Sequence, residues 1–159
     1  MEQVFTLGFV WVCVAAYSAG VCGMILRHWA AARMFWTVGA MALFIHAGLA
    51  YGVFYQWDHQ IALSETAKQT ERLMGVSFSA GLYANFLLII VWVADCALWW
   101  GATAGSYAKR PKWQIILVHG FMALMMINGA VIFVEGPRKW LGAILLLVPM
   151  VFWVVRSRK

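Results

Sequence analysis

Four long, predominantly apolar stretches, about 4–26, 34–55, 76–100 and 113–134, dominate this chain. Each has the roughly 20 residues that a helix rising 1.5 Å per residue needs to cross a 30 Å hydrocarbon layer. Polar residues do not alternate within them as the lumen-facing positions of a barrel strand would, so helices are expected rather than strands. A fifth stretch is shorter if counted from Leu141 to Val155. However, Gly136-Pro137 reads as a helix-ending glycine followed by a proline at the first position of a new helix, which extends the segment to about 137–156. Pro149 then falls inside it, a tolerated feature of membrane helices. The sequence therefore predicts an all-α integral membrane protein, a single domain of five transmembrane helices. Four spans plus an interfacial helix is the rival arrangement.

Composition makes a water-soluble fold untenable. Of 159 residues, 64% are hydrophobic and 11% charged, against about half and about a quarter in soluble domains. The net charge of +6 does not point to nucleic acid, because the basic residues flank apolar stretches, where lipid headgroups are their natural partners. Cys13, Cys22 and Cys96 all lie within apolar runs and form no CxxC, which argues against a disulfide framework. Glu2 stands where a cleavable leader would carry its basic region, so the first stretch reads as a span.

Basic residues set the orientation. If the amino terminus is outside, Arg27, Arg33, Lys109, Arg110, Lys112, Arg156, Arg158 and Lys159 fall inside. Only Lys68, Arg72, Arg138 and Lys139 remain outside. The positive-inside rule thus places the amino terminus outside and the carboxyl terminus in the cytoplasm; this asymmetry suits a bacterial inner membrane. Tryptophans support the same layering. Trp29, Trp36, Trp99, Trp100, Trp113 and Trp153 form an inner girdle, Trp57 and Trp140 an outer one, and Trp11 and Trp92 lie deeper. Between the second and third spans, SETAKQTER suggests either that Ser64 caps a helix starting near Glu65 and running on into the third span or that the segment is an ordinary loop. Small residues at helical spacing (Ala15, Ala19 and Gly23; Ala16 and Gly20; Gly48 and Gly52; Ser77, Gly81 and Asn85) offer close helix packing.

Polar residues at membrane depth are the candidates for function. Asp95 and His119 are expected at similar depth on adjacent antiparallel helices, either as a pair or with Asp95 bonded instead to an interfacial tryptophan or an inner-loop lysine. His46, Asn85 and Asn128 are expected near the membrane centre, as helix-locking hydrogen bonds or a transport site. His28, His46 and His119 are the candidate ligands of haem or a chlorophyll-type tetrapyrrole: His28 with His119, or His46 alone beside Ala42, Ala47 and Ala50. No metal-ligand spacing, catalytic triad or phosphate-binding loop is present. Three functional classes follow. The first is an auxiliary or structural subunit of a larger membrane complex, respiratory or photosynthetic, without catalysis of its own. The second is a small redox protein carrying a tetrapyrrole for electron transport. The third is a small transporter, channel or membrane enzyme built around the buried polar residues.

Overall fold

Each apolar run forms a helix, the element in which a segment satisfies its backbone hydrogen bonds within itself. The computed structural model describes residues 2–102 and 104–158. The helices are α1 (Glu2–Ile25), α2 (Trp29–Val53), α3 (His59–Met74), α4 (Gly81–Gly101), α5 (Ala104–Ala108), α6 (Lys112–Ile127) and α7 (Arg138–Ser157). A π-helical turn, Asn128–Ile132, extends α6. Among the described residues there is no strand. Five helices are long and apolar enough to cross a membrane: Thr6–Ile25, Trp29–Val53, Gly81–Gly101, Lys112–Ile132 and Arg138–Ser157.

These five close a ring. α1 packs along α2 and against α7, α2 packs on α4, α4 on α6, and α6 with its π turn on α7. The core is aromatic and small-residue rich, with Tyr17, Trp36, Trp92, Trp99, Met122 and Met126 buried among Ala32, Ala40 and Ala130. Side chains on the outer circumference are just as apolar: Phe44 is 65% exposed, Ile90 64% and Ile116 72%. An exposed apolar surface of this extent marks contact with a membrane or with other proteins.

Two close approaches rest on glycine. A Cβ on Gly39 of α2 would lie 2.6 Å from Trp92 Cζ2 of α4. On Gly142 of α7 it would overlap the backbone carbonyl of Ala130 in the π turn. On α1, Gly20 and Gly23 face Ala32 and Trp36 of α2. Gly48, by contrast, has open space beside it.

The long third helix expected from SETAKQTER is instead two helices. Asp58, not Ser64, caps α3, its carboxylate accepting from the backbone N–H groups of Gln60 (2.7 Å) and Ile61 (3.1 Å). Gly75 then ends α3 in the left-handed conformation, φ 73°, the usual helix stop. The third span begins only at Gly81. Gly136 is also left-handed, φ 76°, and Pro137 immediately precedes α7, which runs through Pro149 without a break. Lys159, counted above among the inner basic residues, lies outside the described residues.

Candidate functional site

Asp95 is the one acidic residue inside a span, about 9 Å from the carboxyl end of α4. It is 2% exposed. A carboxylate so placed needs partners, and three donors supply them. Trp36 Nε1 of α2 donates to Oδ2 at 2.9 Å. The Tyr107 hydroxyl of α5 donates to the same oxygen at 2.6 Å. Arg110, in the turn before α6, forms a charge-assisted bond to Oδ1. Both oxygens are therefore occupied.

The surrounding aromatic rings order these donors. Tyr107 stacks flat on Trp99, with centroids 3.9 Å apart and planes at 4°. The Arg110 guanidinium lies 3.7 Å over the Tyr107 ring, a cation–π contact that fixes the orientation of its fork. Burial, followed by the hydrogen bond to Asp95, raises the Tyr107 phenol above the ordinary tyrosine range, so it stays a donor. On the α2 side, Trp36 meets Tyr17 and Trp92, with centroids at 5.6 and 5.3 Å. One turn nearer the helix ends the same seam continues. Trp100 Nε1 donates to Thr37 Oγ1 at 3.0 Å, and Arg33 lies 4.0 Å over the Trp100 ring.

His119 does not bond Asp95. Its ring stands 5.2 Å from the ring of Trp36, tilted by 54°, so Trp36 touches both expected partners. The alternative partners, an interfacial tryptophan and an inner-loop cation, are the ones found, though the cation is Arg110 and not a lysine. Trp36 and Trp99 are consequently core residues, 0% and 1% exposed. Trp100, Trp113 and Trp153 remain on the surface at this end.

His46, Asn85 and Asn128 lie in the opposite half of the bundle. His46 Nδ1 is 2.8 Å from the carbonyl of Thr6, tying α2 to α1. Because α4 starts at Gly81, Asn85 sits about 6 Å from the helix end rather than at mid-membrane, and it is exposed. His46 and Asn85 share a cavity of about 210 Å³ between α1, α2, α4 and the π turn. Asn128 is not among its lining residues, although the next residue, Gly129, is. Above this cavity, the Tyr51 hydroxyl is 2.6 Å from His59 Nδ1, and His59 Nε2 is 3.3 Å from the Tyr83 hydroxyl. That polar bridge between α2, α3 and α4 was not among the sequence candidates.

The candidate haem ligands are dispersed. His28 is exposed in the α1–α2 turn, His119 packs on Trp36, and His46 lines the cavity. No hydrogen bond or ring contact joins any two of them among the described residues. The cavity beside His46 is smaller than the roughly 300–1,000 Å³ typical of cofactor sites. No three His, Cys, Asp or Glu side chains converge as metal ligands among the described residues, and all three cysteines are free. The chain matches no protein family, no curated protein and no solved structure.

Proposed function

We propose that this chain is a non-catalytic subunit of a larger membrane assembly, a five-span bundle with its amino terminus outside and its carboxyl terminus in the cytoplasm of a bacterial cell. The observation that carries this reading is the set of internal partners that Asp95 has. The one carboxylate inside these five helices is engaged through both oxygens by side chains of this same chain, Trp36, Tyr107 and Arg110, which is the pattern of a structural fastening. Its role is to fasten α2, α4 and the α5–α6 connection together. The chain's remaining capacity for interaction lies on its circumference, above all on α7, where Leu141, Ile144, Leu147, Met150 and Val151 all point outward. Packing between membrane helices is the interaction such a face offers. The excess of basic residues at the Asp95 end supports the orientation.

The test is the native state of the chain in gently solubilised membranes. Blue-native electrophoresis should find it in a complex with other membrane chains. Migration alone or as a small homo-oligomer removes the subunit reading.

A second reading, binding of a small lipophilic molecule, is favoured by the cavity that holds His46 and Asn85. Its apolar lining with a few polar groups has the composition of such a site, at a volume that restricts the occupant to a compact molecule. Native mass spectrometry of the purified chain should then show a bound small molecule that His46→Leu loses; an unliganded spectrum removes this reading.

A further inference from the structure

A wide recess of about 750 Å³ opens at the Asp95 end, between the α1–α2 turn, the α5–α6 turn and the last turn of α7. Three cations line it, one from each element: Arg27, Lys109 and Arg156. Trp29, Trp153 and Met24 line it beside them. Among the described residues the ion pairs are Lys68–Glu65 and Arg110–Asp95; the three recess cations belong to neither. Positive charge is therefore concentrated where the helices end, and no carboxylate among the described residues forms an ion pair with these three cations.

The backbone at Arg27 provides an independent observation. The turn is a Schellman cap: His28 N–H bonds the Gly23 carbonyl at 2.8 Å and Arg27 N–H bonds the Met24 carbonyl at 3.1 Å. Arg27 occupies the left-handed position of that cap, φ 62°. Glycine is the residue that adopts this conformation without strain. An arginine here holds its charge at the recess in a conformation that disfavours it, and such strain concentrates at binding sites.

We propose that this recess binds the phosphate of an anionic phospholipid, such as phosphatidylglycerol, in the leaflet at the carboxyl-terminal side. The three cations meet the headgroup, while Met24 and the two tryptophans meet the glycerol and upper acyl chains. An amphiphile satisfies both sets of groups; a free anion satisfies one. The inference rests on membrane insertion, but not on the subunit reading, which can fail without affecting it.

Native mass spectrometry of the full chain in detergent tests it, with phosphatidylglycerol titrated against phosphatidylcholine of the same acyl chains. Phosphatidylglycerol should bind more tightly. Arg27→Gly should weaken it about fivefold, and Arg27→Gly with Lys109→Gln and Arg156→Gln about a hundredfold. Arg27→Gly relieves the strained turn, so its loss of binding cannot be ascribed to misfolding. Arg72→Gln, on α3 at the other end, should leave the affinity unchanged. Equal binding of the two lipids, or undiminished phosphatidylglycerol binding by the triple variant, overturns the proposal. Inorganic phosphate displacing the lipid at equal concentration would show a soluble-anion site and overturn it as well.

Discussion

Removing Arg110 should be the most damaging single change at the charged end of the bundle. Asp95 is 2% exposed and Arg110 13% at their side chains, so Arg110→Gln leaves a carboxylate out of water with only two neutral donors, Trp36 and Tyr107. Breaking a buried pair in this way costs about 3–5 kcal/mol. The lower end, about 3 kcal/mol, is expected here because Arg110 retains some exposure. That corresponds to about a hundredfold in the folding equilibrium. Asp95→Asn should cost less, since the amide oxygen can still accept from Trp36 and Tyr107 while the Arg110 charge can reach towards the interface. The two changes together should be less damaging than their sum, because the second removes the charge that the first strands. Reversible unfolding in mixed detergent–SDS micelles measures all three variants. An Arg110→Gln chain within about 0.5 kcal/mol of wild type, or strictly additive effects, would refute the fastening role of Asp95.

Gly142→Ala should destabilise the chain by about 1–3 kcal/mol, because its methyl would overlap the Ala130 carbonyl and push α7 off the π turn; Gly48→Ala, with open space around it, should be neutral in the same unfolding assay. Burial and the Asp95 bond raise the Tyr107 phenol, so the folded state holds its proton where a free tyrosine, near pH 10, releases it. The stability this contributes is complete below about pH 10 and declines as pH rises above it; an unfolding series at alkaline pH should show that decline flattened in Tyr107→Phe. Asp58→Ala removes the cap of α3 and should cost about 1 kcal/mol, read as earlier exchange of the Gln60 and Ile61 amides in hydrogen–deuterium exchange.

What the sequence made legible was depth along each helix; what it hid was direction around it. Runs of apolar residues located the five long helices to within about five residues at each end, since length and hydropathy decide that question alone. The same depth reasoning put Trp36 and Trp99 at an interface and Asp95 beside His119. Helix packing then turned the two tryptophans inward and gave Asp95 to Trp36, Tyr107 and Arg110. Arg110 lies fifteen residues after Asp95, in the connection on the same side, so a cation from that connection was foreseeable even though its identity was not. The expected start of the third span was wrong for a local reason. Asp58 caps α3 and the left-handed Gly75 stops it, so the helix that Ser64 would start does not run on into the third span. Placing the start at Gly81 moved Asn85 from mid-membrane to within about one turn of the helix end.

Insertion and orientation are tested most directly by thiol labelling of two positions. Ser64 lies on α3 and Ser157 at the end of α7, separated by the long helices α4, α6 and α7. In intact cells a membrane-impermeant maleimide should label Ser64→Cys at once and Ser157→Cys only after permeabilisation. Labelling of both from outside, or of Ser157→Cys alone, would contradict a five-span bundle with its Asp95 end in the cytoplasm.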